Sequence, residues 1–510
     1  MMDHSQLNEI SVPSDAGSSG CSFSIQWIAL LLGFSLLAGL LAVSQDSLWI
    51  DEGFSAFFAR QPDFGSLAAA MKNEGGSDAQ VPFYVAYLWA WEKGFGHSEW
   101  TLRAANLPWL LLGNAALLFS MRRVGMRRGV AAFFILAAAV SPFLSFYLNQ
   151  ARCYTMQYAT ACMVLAYLLE VSAYPGRAFR FTTLITGVTG AMLLCGTSLT
   201  AVVWVGSAFL ATGWMIWKEP RIPRPSPMAW VVLGIMGVVL SLLGLYYLET
   251  LLRGARATGG ETTVGTVLYC IYEMAGFSGL GPARNDLRGA GIGALKTYGL
   301  PLALGGVIIW GSLIAGAVAW IRHNPVKNAR RWALAFVILP LAFMLGMGIL
   351  VHFRVLGRHL MTVYPLALFL VALALNALWE TRWRSLSILF LAVWAVSFGM
   401  LRFSDAHQRD DYRSASALAC KGLAAGERVW WGADKRTAVY YGLGQIPKGD
   451  LTYWMNAEPR DLAQKPVPDR IFISKKEIYD SGNTIGQYIE SHRFVPCAAF
   501  SSFMVFKKQP

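Results

Sequence analysis

The sequence predicts an all-α polytopic membrane protein with a small α/β domain at its C-terminal end. Three observations predict this fold class: the 510 residues are 55% apolar, only 14% of them are charged, and the mean hydropathy is +0.44. An ordinary soluble domain contains about 25% charged residues. This chain therefore lacks the charge to cover several soluble domains. A disulfide scaffold is also excluded, since only 7 cysteines are spread along the chain.

Apolar stretches long enough to cross about 30 Å of hydrocarbon recur along the chain. Eleven transmembrane spans are predicted, at residues 24–44, 105–121, 130–148, 155–173, 181–197, 199–217, 228–248, 300–320, 333–352, 360–379 and 385–402. The segment 81–95 is shorter and contains Glu92 and Lys93, which favours a helix at the membrane interface.

The positions of Lys and Arg predict the orientation. The formal net charge is +13, and the basic residues gather in every second loop, as at Arg122, Arg123, Arg127 and Arg128. Such loops stay in the cytoplasm, which explains the basic balance without nucleic acid.

This orientation divides the chain into three parts. Residues 1–23 are predicted to be a cytoplasmic tail, although they contain no Lys or Arg, and 24–402 a transmembrane module with external loops at 45–104 and 249–298. Residues 403–510 are predicted to be a soluble external domain.

The external domain has the patterns of an α/β fold. Val429–Trp431 and Ile471–Ile473 are typical of buried strands, and 412–424 and 483–491 of helices. Cys420 and Cys497 both fall in this domain. A disulfide between them stays open, with two unpaired thiols favoured.

An acidic pair follows the first span. Asp51 and Glu52 follow Trp49 and Ile50, just beyond the outer end of that span. Carboxylates are costly inside a bilayer. One interpretation is a solvated pair at the interface, beside an aromatic residue typical of that depth. The other is a catalytic base, since a carboxylate accepts the proton of an attacking hydroxyl.

A second polar segment lies in the same external loop. Asp78 and Gln80 precede Pro82 and Tyr84. The segment is either a turn that starts an interfacial helix at the proline, or a group of carboxylate and amide side chains that bind sugar hydroxyls near Asp51.

Three arginines are predicted on the external side, against the charge bias of the other loops. Arg152 precedes Tyr154 at the outer end of the third span, and Arg354 and Arg358 lie between the ninth and tenth spans, with His359 beside Arg358. A lone arginine there is also explained by its side chain reaching the interface. A guanidinium group nevertheless suits phosphate, because it offers a planar fork of donors.

Acidic residues early in the chain and arginines later suit glycosyl transfer from a lipid phosphate. A base activates the acceptor hydroxyl, and cations stabilise the departing phosphate. The sequence contains no GxxxxGK[ST], HExxH or CxxC motif, which argues against a Walker-type site and a spaced metal site.

The order of these motifs resembles the GT-C superfamily of membrane glycosyltransferases. The likeness covers roughly residues 24–380 and is strongest to the glycosyltransferase 39-like group, which includes protein O-mannosyltransferases, the lipid A aminoarabinose transferase and rhizobial lipid A galacturonosyltransferases. The resemblance implies that Asp51 is the catalytic acidic residue of the first external loop and that Glu52 is the neighbour usually found beside it. Gln80 and Val81 replace the His and first Pro of a family motif that ends in Tyr84.

The resemblance also implies the remaining roles. Arg152 and Tyr154 match an Ala-Arg-x-Tyr segment, and Arg358 and His359 stand at an Arg-Tyr position, so Arg358 would meet the lipid phosphate, as would Arg354.

The resemblance further implies an enzyme of the bacterial inner membrane. Such an enzyme moves a sugar from a polyprenyl-monophosphate donor to a hydroxyl of an envelope lipid, glycan or protein, generally with inversion. A divalent cation is left open, because some members use one and others do not. The alternative is a lipid or glycan transporter, although the near absence of ionisable residues inside the spans weighs against a transporter.

Overall fold

The computed structural model describes residues 23–74, 76–218, 224–253, 261–323, 327–350, 352, 354–445 and 450–509. The predicted tail therefore lies almost entirely outside the described residues. The α-helices, in chain order, are α1 (Ile25–Ala42), α2 (Ile50–Ala59), α3 (Phe64–Glu74), α4 (Pro82–Phe95), α5 (Glu99–Ala104), α6 (Leu107–Arg123), α7 (Arg128–Val140), α8 (Pro142–Leu148), α9 (Tyr154–Ala173), α10 (Phe181–Thr197), α11 (Ala201–Lys218), α12 (Pro227–Leu252), α13 (Val264–Met274), α14 (Arg284–Ala290), α15 (Gly299–His323), α16 (Lys327–Leu350), α17 (Tyr364–Trp379), α18 (Arg384–Phe403), α19 (Tyr412–Ala424), α20 (Lys435–Tyr440), α21 (Pro459–Ala463), α22 (Lys476–Tyr479) and α23 (Thr484–Ser491). Short 3₁₀ helices span Ser77–Gln80, Pro175–Arg177, Phe277–Gly279, Gly291–Tyr298, Gly357–Thr362 and Asp405–His407.

Helices occupy all eleven segments predicted as spans. Within the described ranges, seven helical stretches are long and apolar enough to cross a membrane, and α7 with α8 makes an eighth if the bent pair is one span. The helices α10 and α17 are apolar but shorter. A multi-pass α-helical membrane protein is thus confirmed, whereas the count of eleven crossings stays a prediction.

The predicted span at 130–148 is not one straight helix. It is bent by 58° between α7 and α8. Pro142 starts α8, where its missing N–H is no loss, and the hydroxyl of Ser141 caps the new helix by accepting from the backbone N–H of Leu144 at 3.0 Å. The bend leads the chain through Leu148 to Arg152, just before the N-terminal end of α9.

The helix α9 is the centre of the transmembrane module, because 83% of its apolar window is buried, more than in any other described span. It packs closely on α6, where a Cβ on Gly113 would lie 2.6 Å from the Cα of Ala159. Buried hydrogen bonds join three helices: the Tyr158 hydroxyl donates to Asn114 at 2.8 Å, and Asn114 donates to Ser35 at 2.7 Å.

The C-terminal region forms a five-stranded sheet of order β2-β1-β3-β5-β4. The strands are β1 (Arg428–Gly432), β2 (Asp450–Tyr453), β3 (Arg470–Ser474), β4 (Phe494–Phe500) and β5 (Phe503–Lys508). Strand β1 pairs in parallel with β2 and with β3, whereas β5 pairs antiparallel with β3 and with β4. Both faces of β1 are covered: Trp431 packs with Tyr412 and Phe503 on one face, and Trp430 with Ile485 on the other. The α/β prediction is confirmed, and both Cys420 and Cys497 are free thiols.

Candidate active site

The site begins at the first turn of α2. Trp49 is the N-cap residue, and its backbone N–H donates to Oε2 of Glu52 at 3.4 Å. Asp51 and Glu52 both lie in this turn, where the helix dipole favours negative charge. Adjacent residues on a helix point about 100° apart, so the two carboxylates face different surroundings.

Asp51 forms an ion pair with Arg358. Arg358 Nη1 lies 3.0 Å from Asp51 Oδ2, although the two residues are 307 positions apart. The side chains keep 25% and 21% of their surface exposed, so solvent reaches the pair. Burial lowers the pKa of Arg358, but Tyr154 and Asp51 outweigh burial and raise it above its ordinary value. The predicted convergence of an early acid with a late arginine is therefore present.

Arg152 lies beneath Asp51 and is buried. Its Nη1 donates to the backbone oxygen of Asp51 at 3.2 Å and to Ser55 Oγ at 3.0 Å, and it pairs with Oδ2 of Asp78. The Ser55 hydroxyl donates to the other Asp78 oxygen at 2.6 Å. Asp78 is completely buried. Both of its oxygens are engaged inside the protein, which favours a role in positioning Arg152 over the predicted contact with sugar.

Glu52 is also completely buried. Arg103 donates to it through two nitrogens, Nε at 2.8 Å and Nη2 at 2.7 Å. Arg409 Nη1 and the backbone N–H of Ala151 add contacts at 3.0 Å and 2.8 Å. Burial raises the pKa of Glu52, but the two guanidinium groups outweigh it and leave the pKa below its ordinary value. A carboxylate enclosed by donors does not meet substrate. The contacts favour a structural role for Glu52, and its catalytic role stays a prediction.

The two predicted aromatic residues, Tyr84 and Tyr154, are both buried. Tyr154 packs edge-on against Tyr147, with ring centroids 4.8 Å apart. Tyr84 is fully buried in the first turn of α4, and its hydroxyl has no hydrogen-bond partner among the described residues.

The backbone oxygen of Gln80 accepts from the Tyr247 hydroxyl at 3.2 Å, which ties the 3₁₀ helix at Ser77–Gln80 to α12.

The other two substrate-binding residues predicted in this region, His359 and Arg354, differ from Arg358. His359 accepts at Nδ1 from the backbone N–H of Leu356 at 3.0 Å, and so caps the 3₁₀ helix that contains Arg358. Burial and the neighbouring Arg358 lower the pKa of His359 to about 3, so the imidazole is neutral. Arg354 is exposed, and its charge acts on Cys270 of α13. No described contact joins Arg354 to Asp51.

Sequence reasoning missed the residues that the C-terminal domain contributes. Arg409 reaches Glu52, Thr437 donates to the backbone oxygen of Ile50 at 3.4 Å, and the Arg436 guanidinium lies 4.2 Å from the centroid of the Phe54 ring. The only sequence signal for these residues is the run of charged residues after α18, which includes Arg409. Their partners lie more than 350 positions away in the chain, so the sequence alone does not indicate the contacts. Arg103, which holds Glu52, is not among the residues predicted for the site either.

A cavity of about 330 Å³ lies between the C-terminal ends of α1 and α18 and the C-terminal domain. Trp49, Phe146, Tyr269 and Tyr272 contribute aromatic surface, and Arg409 is also part of the wall. No group of three His, Cys, Asp or Glu side chains suited to a metal ion occurs in the part of the chain that the structure describes.

No protein-family model matches the sequence, and a search of curated proteins finds no match either. Among solved structures, the crystal structure of ArnT from Cupriavidus metallidurans bound to undecaprenyl phosphate aligns with a TM-score of 0.53 and 15% identity, over 95% of this chain and 98% of that one. The chain therefore has the same fold as that structure. A mutant of the arabinofuranosyltransferase AftD from Mycobacteria aligns with a TM-score of 0.50 and 14% identity, over 95% of this chain but 42% of the other. These likenesses confirm the architecture expected from the GT-C resemblance.

Proposed function

We propose that the chain is an integral membrane glycosyltransferase. It moves a sugar from a polyprenyl-monophosphate donor to a hydroxyl group of a cell-envelope acceptor. The observation that carries this proposal is the pair of Asp51 and Arg358, whose charged atoms lie 3.0 Å apart at a solvent-accessible position. One site thus holds both a base for the acceptor hydroxyl and a cation for the leaving phosphate, the two groups that displacement of a phosphate from a sugar uses.

Asp51 acts as the general base. Its carboxylate accepts the proton of the acceptor hydroxyl while the hydroxyl oxygen forms a bond to the anomeric carbon. The bond from that carbon to the phosphate oxygen breaks, and the phosphate leaves with the electron pair. A single displacement inverts the anomeric centre, because the attacking and leaving oxygens lie on opposite faces.

Arg358 stabilises the charge that develops on the departing phosphate. A guanidinium group has five N–H donors, and Asp51 accepts from one of them in the structure. The remaining donors are available for charge-assisted bonds to phosphate. Arg152, by contrast, is buried against Asp78 and Ser55, so its role is to fix the backbone at Asp51.

The acceptor is proposed to enter from the cavity beside Trp49, two residues before Asp51. Aromatic faces and hydroxyl-binding groups occur together in its wall, as at Trp49, Tyr272 and Asn149. This mixture suits a hydroxyl-bearing ligand such as a glycan or a glycolipid head group.

We further propose that Asp51 and the C-terminal domain lie on the external side of the bacterial inner membrane. Support comes from their direct contact, since Thr437 lies against Ile50. Cys497 is an exposed thiol in that domain. A membrane-impermeant maleimide applied to intact spheroplasts should label Cys497, and labelling only after lysis would place the domain inside.

The activity is tested with purified protein in nanodiscs, given a panel of polyprenyl-phosphate sugars and envelope extracts. Mass spectrometry should find a product heavier than the acceptor by one sugar residue, together with free polyprenyl phosphate. Movement of labelled lipid across the bilayer without a new glycosidic bond would favour the transporter instead.

A further inference from the structure

The C-terminal domain contacts the polypeptide on both sides of Asp51. Several of its contacts fall on residues 45–54, which we call the acidic segment. The residue Tyr441, which follows α20, makes the most direct of them. Its hydroxyl accepts from the backbone N–H of Leu48 at 2.8 Å and donates to Oε1 of Glu99 at 3.1 Å.

Leu48 is three residues before Asp51 and is fully buried. Buried backbone N–H groups need a partner, and losing one costs about 1–3 kcal/mol. In the structure that partner comes from the C-terminal domain rather than from the transmembrane module. The local order of the chain that leads into α2 therefore depends on a side chain almost 400 positions away.

Arg413 strengthens the same contact. Its backbone N–H donates to Ser47 Oγ at 3.1 Å, and its Nε donates to Glu99 Oε1 at 2.9 Å. A further nitrogen donates to the backbone oxygen of Gln45. Glu99 thus joins Arg413 and Tyr441 in one network on the N-terminal side of Asp51.

On the C-terminal side, α20 packs against α2 at Gly53. A Cβ on Gly53 would lie 2.0 Å from Oγ1 of Thr437. Only glycine allows this approach. Asp51 therefore lies between two contacts with the same domain, at Leu48 and at Gly53.

We propose that the C-terminal domain completes the active site, and that Tyr441 is the positioning residue that fixes the acidic segment. This inference rests on the proposed glycosyl transfer, for which Asp51 must stay within hydrogen-bond reach of the acceptor. A displacement of about 1 Å costs roughly 100-fold in rate. The domain is then part of the catalytic unit rather than an accessory that only recruits a partner.

The neighbouring tyrosine offers a matched control. The Tyr440 hydroxyl donates to the backbone oxygen of His97, outside the acidic segment. Tyr441→Phe and Tyr440→Phe each remove one hydroxyl from adjacent positions of the same domain. The full chain in nanodiscs is measured in both variants by transfer kinetics and by hydrogen exchange of peptides covering 45–54.

Tyr441→Phe should lower kcat about tenfold, leave the KM for donor unchanged, and speed exchange in the 45–54 peptides at least tenfold. Tyr440→Phe should leave kcat and that exchange unchanged. Unaltered exchange in Tyr441→Phe, or equal effects of both variants, would overturn the inference. If the wild type transfers no sugar, the proposed function fails, while exchange at 45–54 still decides whether Tyr441 fixes the segment.

Discussion

Replacing Asp51 with Asn separates the chemistry of the site from its stability. The substitution keeps the size of the side chain and removes its ability to take up a proton. General-base catalysis typically contributes about 10²–10⁴-fold, so kcat should fall by that factor. This corresponds to roughly 3–5 kcal/mol in the barrier.

The stability of the Asp51→Asn variant should change little. The side chains of Asp51 and Arg358 are 25% and 21% exposed, and pairs that solvent screens contribute about 1 kcal/mol or less. The amide oxygen of Asn still accepts from Arg358. We therefore expect the thermal unfolding midpoint to move by no more than about a few degrees.

The assay measures transferred sugar by mass spectrometry under single-turnover conditions, with Asp450→Asn as the matched control. Asp450 is exposed at the first position of β2, so its substitution should leave the rate unchanged. A rate for Asp51→Asn within about threefold of the wild type would refute the role of Asp51 as the base, because even weak general-base catalysis exceeds that factor.

Three further substitutions test other parts of the account. Arg358→Ala should lower kcat/KM for the donor about 10- to 100-fold through lost charge-assisted bonds, with Arg358→Lys intermediate, and an unchanged kcat/KM would exclude the phosphate contact. Gly53→Ala should destabilise the protein by about 1–3 kcal/mol, because the added Cβ collides with Thr437. A Cβ on Gly33 would meet nothing within 4 Å, so Gly33→Ala should leave the stability nearly unchanged. Equal unfolding midpoints of the two variants would contradict the close packing of Gly53 on Thr437. His359, whose pKa is lowered from 6.5 to about 3 by burial and Arg358, takes up a proton in the unfolded chain first. The contribution of neutral His359 to the free energy of unfolding should be full above about pH 6.5 and decline towards pH 3. The difference in that free energy between wild type and His359→Gln should therefore shrink as the pH falls. A constant difference would argue against a buried neutral imidazole.

Much of the architecture was accessible from sequence because hydrophobic length and alternation act locally. Apolar runs predict helices wherever about 20 residues lack charge, and the Val429–Trp431 and Ile471–Ile473 patterns predict the central strands of the sheet. The bend at Pro142 escaped the hydropathy criterion, since Ser141 and Pro142 are too few to interrupt an apolar average. Local chemistry, through the proline and the serine cap, produces the bend.

The roles within the site were less accessible, because they depend on distant partners. Asp51 and Glu52 are adjacent and chemically alike. Only the arrival of Arg103 and Arg409 at Glu52 makes one carboxylate structural and leaves the other exposed to solvent. Asp78 is likewise distinguished by its burial against Arg152.

The most direct test is an experimental structure of the full chain with a phosphonate analogue of a polyprenyl-phosphate sugar. The phosphonate oxygens should lie within hydrogen-bond distance of Arg358, with the Asp51 carboxylate facing the anomeric carbon from the side opposite the phosphonate. A phosphonate bound away from Arg358, or an anomeric carbon that the Asp51 side chain does not face, would contradict the shared site.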